Sequence, residues 1–98
     1  MLKLEFDTEI IYWRGPAPFF YAPVPAAQAD GIRRIKTAAS YGWGVIPVEA
    51  VVNGVRFTTS LFPKDGTYLL PLKDAVRRAG GITGGDTIHV EMIVQPRR

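Results

Sequence analysis

The segment Ile46-Pro47-Val48-Glu49-Ala50-Val51-Val52-Asn53-Gly54-Val55-Arg56-Phe57-Thr58-Thr59-Ser60-Leu61 decides the fold class. Ile46, Val48, Ala50 and Val52 recur at every second position, the period at which side chains share one face of a strand. Asn53-Gly54 follows at once. A type I′ turn needs positive φ at both central residues, and this pair meets that need best. The return strand sets Val55, Phe57, Thr59 and Leu61 on one face and Arg56, Thr58 and Ser60 on the other.

The chain outside this hairpin follows the same logic. Leu2, Leu4, Phe6, Thr8, Ile10 and Tyr12 alternate with Lys3, Glu5 and Asp7, which predicts one long half-buried strand ending near Trp13 and Arg14. Gly15, Pro16 and Pro18 break it, and Phe19-Phe20-Tyr21-Ala22 reads as a second strand, its aromatics core or strand edge. Pro25 suits the first position of a helix, where its missing N–H costs nothing. Ala29, Ile32, Ile35 or Lys36, and Ala39 continue at helical spacing, while Gly31 weakens that helix by about 1 kcal/mol relative to Ala. Tyr41-Gly42-Trp43-Gly44 turns into Ile46. Past Leu61, Phe62-Pro63-Lys64-Asp65-Gly66 reads as a turn and Tyr68-Leu69-Leu70 as a short strand. Leu72, Ala75, Val76 and Ala79 keep helical spacing up to a Gly80-Gly81 C-cap. Gly84-Gly85-Asp86 then turns into a last strand, where Ile88, Val90, Met92 and Val94 alternate with His89 and Glu91.

Strand, proline, helix, glycine turn and strand thus occur twice, from Val24-Pro25 to Val45 and from Leu70-Pro71 to Val90, each copy after a long strand. Such a repeat builds a pseudo-symmetric barrel whose halves cover each other's edge strands. The predicted fold is mostly β, a small β-barrel with two short helices, formed as a single domain over residues 1–98.

Composition narrows the function classes. Hydrophobic residues at 47% against 21% charged exclude intrinsic disorder. A net charge of +3 is a common solubility margin that also permits anionic partners. With Cys 0, disulfides, thiolate chemistry and cysteine zinc sites are excluded. No apolar run approaches the ~20 residues of a membrane span, and Met1-Leu2-Lys3 leads into alternating residues with no signal-peptide core. The expected location is cytoplasmic.

Several less common residues fall in a familiar series: Trp13-Arg14-Gly15, Gly42-Trp43-Gly44, Thr59 to Gly66, Tyr68 to Lys73, Ala75-Val76-Arg77 and Gly85-Asp86. Together they resemble the bacterial family called domain of unknown function 1905, over nearly the whole chain. The resemblance implies that this barrel is a small double-split, swapped-hairpin-like β-barrel, often joined to a bacteriocin-protection-type domain, with no established activity. Asp65 to Pro71, Val76-Arg77-Arg78, Gly81-Ile82 and Gly85-Asp86 are also similar to the AbrB-type regulators and antitoxins. Those are dimers that bind DNA through arginines, and Arg77 and Arg78 match two of them in position; Thr67 stands where the regulators carry an arginine.

No residue set suggests catalysis. His89 lies on the face opposite Ile88 and Val90, which reads as exposed and idle, and Ser60 lacks both an adjacent base and a G-x-S-x-G elbow. Gly84-Gly85-Asp86 follows a helix and precedes a strand, the reverse of a phosphate-binding loop. No ligand spacing suggests a metal, and no cofactor is expected. Lys73 and Arg77, spaced i,i+4 on the second helix, share a face. With Lys64, Thr58 and Ser60 they are expected to line an anion-accepting groove. Trp13, Tyr41 and Trp43 serve either as stacking surfaces or as plugs closing a barrel end. The expectation is a non-catalytic module near the second helix for a small anionic or aromatic molecule or a protein partner. The alternative is a nucleic-acid-binding regulator using Arg33, Arg34, Arg77 and Arg78. A monomer or loose dimer without membrane attachment fits either.

Overall fold

The computed structural model describes residues 2–14, 19–39, 46–64 and 66–94. These form β1 (Leu2–Glu9), β2 (Ile11–Trp13), β3 (Phe19–Pro23), α1 (Ala26–Ala39), β4 (Ile46–Val52), β5 (Val55–Lys64), β6 (Thr67–Leu72), α2 (Asp74–Gly80) and β7 (Thr87–Val94). The strands lie in the order β1-β7-β4-β5-β6-β3-β2, and every neighbouring pair is antiparallel.

The expected hairpin forms in register, with Val52 opposite Val55 and Ile46 opposite Leu61. Asn53 at φ 49° and Gly54 at φ 79° make the turn, both in the left-handed region a type I′ turn requires. Ile46, Val48, Ala50 and Val52 are buried, and Leu61, Leu70, Leu72, Val90, Met92 and Val94 are fully enclosed with them. Among the described residues no charged side chain is buried, so the core carries no ion needing desolvation.

Two long strands hold the architecture together. Val55–Leu61 of β5 pairs with β4, whereas Phe62–Lys64 pairs with β6. β1 and β2 behave as one strand interrupted at Ile10: Leu2–Glu9 pairs with β7 and Ile11–Trp13 with β3. Because β1 and β2 are the two ends of the strand order, this continuity closes the ring of pairings. The protein is therefore a double-split barrel, mostly β and strongly curled, and the repeat read from the sequence corresponds to its two halves. β3 pairs with β6 and β4 with β7, each with its counterpart in the other half.

The structure departs from the sequence expectation at these split points. The first strand does not run unbroken to Trp13: the Ile10 N–H donates to the Asp86 carbonyl (2.9 Å), and the Ile10 carbonyl accepts from Gly85 N–H (3.1 Å). Ile10 is buried, but Tyr12, expected on the same face, is exposed. β5 continues to Lys64, so Phe62-Pro63-Lys64 is strand and not turn. Phe19, Phe20 and Tyr21 are half-buried, as expected of core and strand edge: Phe20 packs against the core, and the fully buried position of β3 is Ala22.

The helices cover what the strands leave open. The Pro25 carbonyl accepts from the N–H groups of Gln28 and Ala29, so α1 starts at Ala26, just after the proline. Ala29 and Ile32 are its buried stripe. α2 buries Val76 and ends at Gly81, whose φ of 63° is the left-handed C-cap anticipated there. No described helix is long and apolar enough to cross a membrane.

Gly31 lies inside α1, and a Cβ there would meet only Leu2 Cδ2 at 3.6 Å, an ordinary contact. Gly31→Ala is expected to stabilise the fold by about 0.5–1 kcal/mol, because alanine loses less backbone entropy in a helix. Urea unfolding measures this, and an unchanged or lowered midpoint refutes it.

Candidate functional site

Where β1–β2 changes partner, the outward side chains lose their cover. Ile11, Tyr12 and Trp13 are 37%, 48% and 40% exposed, an unusual density of large apolar groups for one short strand. Tyr12 pairs across to Phe20, and their rings lie 4.7 Å apart, tilted by 52°. The Arg77 guanidinium sits 4.2 Å from the Phe20 ring centroid. Arg77 is held there by a hydrogen bond from its Nε to the Leu72 carbonyl (3.2 Å) and by an ion pair with Asp74. A Cβ at position 84 would come within 3.0 Å of Phe20 Cε1, so glycine is what lets the loop lie against that ring.

Trp13, next after Tyr12 in the strand, faces the opposite side of the β2–β3 ribbon, and there the Lys64 ammonium lies 4.1 Å from its ring centroid. Trp13 lies opposite Phe19, at the Leu72 end of β6, while Lys64 lies opposite Thr67 at its other end. They are diagonal corners of the β5-β6-β3-β2 sheet, and its coiling brings them into contact.

The sequence-derived constellation is thus divided. Thr58 and Ser60 lie across β5 from Phe57 and Leu61. With Pro47, Val48, Glu49 and Thr59 they line an open depression of about 430 Å³. Lys64, Lys73 and Arg77 do not line it; Lys73 is exposed just ahead of α2. The division follows from β5 being a strand, since Val55 and Phe57 pack with Val76 of α2 against the core while alternate residues face away. Trp43 and Tyr41 lie outside the described residues. Arg33, paired with Asp30 at 2.6 Å, and Arg34 sit on α1, which packs on β1, β4 and β6. Arg77 and Arg78 sit on α2, which packs on β5. Asp86 caps the turn in which the sequence placed it, its carboxylate accepting from the Thr83 N–H (2.8 Å) and hydroxyl (3.0 Å).

Tyr12 and Phe20 were not among the expected site residues, because their exposure depends on the partner switch at Ile10. His89 is exposed as expected but not idle. Its Nδ1 lies 2.8 Å from Asp7 Oδ1 and its Nε2 lies 3.6 Å from Glu5 Oε1. The hydrogen bond to Asp7 raises its pKa above the usual 6.5; partial desolvation opposes the shift, and Glu5 adds to it.

Antiparallel pairings joined end to end by the continuous β1–β2 strand, two capping helices and exposed aromatics with cations on their rings define a small double-split barrel. The chain belongs to the family described as Domain of unknown function (DUF1905), whose model matches residues 6–92. No curated protein matches the chain.

Because its pKa is raised in the folded state, protonated His89 stabilises the fold. That contribution is fully present below the unfolded value of about 6.5 and is lost as pH rises through the folded value. An NMR titration is expected to place His89 above 6.5 and to show Asp7→Asn lowering it. An Asp7→Asn variant that titrates like the parent removes the assigned cause.

Proposed function

We propose that the protein is a non-catalytic binding module that holds a small aromatic anion, free or presented by a protein partner, against Trp13 and Lys64. The observation that carries this reading is Trp13, 40% exposed with a lysine ammonium 4.1 Å from its ring. A flat π-system stacks on such a ring, and an anionic substituent meets the neighbouring ammonium through charge-assisted contacts. Lys64 rests on an aromatic face, so less side-chain freedom is lost when a ligand arrives.

Titration with phenyl phosphate, followed by amide and indole NMR shifts, tests this reading. A saturable shift of the Trp13 indole N–H is expected, lost in Trp13→Ala. Lys64→Met is expected to weaken binding about two- to fivefold, the worth of one exposed ionic contact with the ligand. Thermal unfolding of both variants separates loss of binding from loss of fold. Shifts that persist in Trp13→Ala place the site elsewhere.

Nucleic-acid binding is the second reading, favoured by Arg34 and Arg78, which are exposed and have no acidic partner among the described residues. Stacked bases and phosphates are also aromatic anions. Fluorescence anisotropy with labelled duplex DNA, from low to physiological salt, decides between the two. The regulator reading expects a log–log salt slope of several units, reduced by about one each by Arg34→Ala and Arg78→Ala. The small-ligand reading expects binding to vanish by about 0.15 M salt.

A further inference from the structure

The outer face of the β1–β7 ladder carries a second group of side chains, none of which belongs to the Trp13–Lys64 site. Its register sets Glu5 opposite Glu91 and Asp7 opposite His89. The intervening Phe6, Val90 and Met92 point into the core, so all four polar side chains leave the same face of one regular pair of strands. Ligand atoms of Glu5, His89 and Glu91 lie within 4.8 Å of one another.

We propose that Glu5, His89 and Glu91 form a surface site for a borderline divalent metal ion, represented by Zn²⁺, with Asp7 orienting the imidazole. A metal-bound histidine almost always donates its other ring N–H to a carboxylate or carbonyl, which fixes the tautomer and aims the ligating nitrogen. Asp7 Oδ1 takes that role toward Nδ1 at 2.8 Å, and Nε2 then bears the lone pair on the side of Glu5, 3.6 Å from its carboxylate. Glu5 and Glu91 are like charges directly opposite on neighbouring strands, a destabilising cross-strand pair that a cation between them relieves. One imidazole nitrogen and two carboxylate oxygens suit Zn²⁺ or its neighbours better than Ca²⁺, which takes six to eight oxygens. All three side chains are solvent-facing, so they are free to rotate inward to metal-ligand distances. Three protein ligands leave a position for water. Lys3 and Arg56 share a small depression with Glu91, where the Arg56 guanidinium is paired with Glu49.

The test is calorimetric titration of the whole chain with ZnCl₂ and, separately, CaCl₂, at mildly alkaline pH where the imidazole is neutral. Long-range ¹H–¹⁵N spectra of His89 identify the liganded nitrogen. One Zn²⁺ per chain is expected, ligated at Nε2, with His89→Gln and Glu5→Gln each weakening affinity at least tenfold. Asp7→Asn is expected to weaken it about tenfold, the usual effect of losing such an orienting partner. Metal-free thermal unfolding checks that each variant folds. Absent Zn²⁺ binding, Zn²⁺ binding indifferent to His89→Gln, or Ca²⁺ bound as tightly as Zn²⁺ each overturns the site. None of these outcomes bears on Trp13, so the two proposals stand or fall separately.

Discussion

The structure depends on two strands that must each satisfy hydrogen bonds in two sheets. Backbone donors and acceptors cannot be left unpaired in a core, and a short chain has few strands with which to pair them. This protein closes its ring by letting β1–β2 and β5 change neighbours part-way along. At Ile10 the ladder hydrogen bonds are replaced by a reciprocal pair with the Gly85-Asp86 turn. That turn is itself fixed by the Asp86 carboxylate on Thr83 and by the positive φ of 86° at Gly85. Losing the turn would leave both polar groups of a buried residue without partners, a cost of a few kcal/mol.

The helices and the apolar core follow from that closure. A strongly curled sheet leaves open ends, and α1 and α2 bring Ala29, Ile32 and Val76 into the same cluster as the inward strand residues. Side chains also tie segments across the ring. The Thr67 hydroxyl donates to the Val24 carbonyl (2.6 Å), the Thr8 hydroxyl to the Pro23 carbonyl (2.7 Å), and Asn53 Nδ2 to the Gly80 carbonyl at the end of α2 (3.0 Å). Each reaches a backbone acceptor beside a proline, a hairpin or a helix end, where regular ladders stop supplying partners.

Local physics made much of this legible. Period two, Asn-Gly, the proline before α1 and the glycine after α2 state the element types with little help from context. The twofold order of those elements announces the barrel. Strand pairing is a different matter, since it joins residues far apart in the chain. Nothing near Ile10 in sequence says that β1 and β2 belong to opposite ends of the order, so an unbroken strand was the natural expectation. Nothing near His89 says that Asp7, 82 residues away, is its partner. The groove expected from Thr58, Ser60, Lys73 and Arg77 failed for a related reason. Residue type and spacing identified the cations, but which face of β5 meets α2 is settled only by packing.

The partner switches also explain where the exposed aromatics lie. A residue at a switch is enclosed by both sheets, and Ile10 and Leu61 are buried accordingly. The residues just beyond have left one sheet and are flanked by a single short strand of the other. Tyr12, Trp13 and Phe62, all exposed aromatics, occupy these post-switch segments in the two halves. Coiling then brings the end of one segment over the other, as the Lys64–Trp13 contact records. Exposure of large aromatics is unfavourable in a domain that must bury what apolar surface it has. Its concentration at the two switch segments, with cations stacked on the rings at Trp13 and Phe20, is why this region, and not the open depression on β4 and β5, is the stronger candidate for recognition.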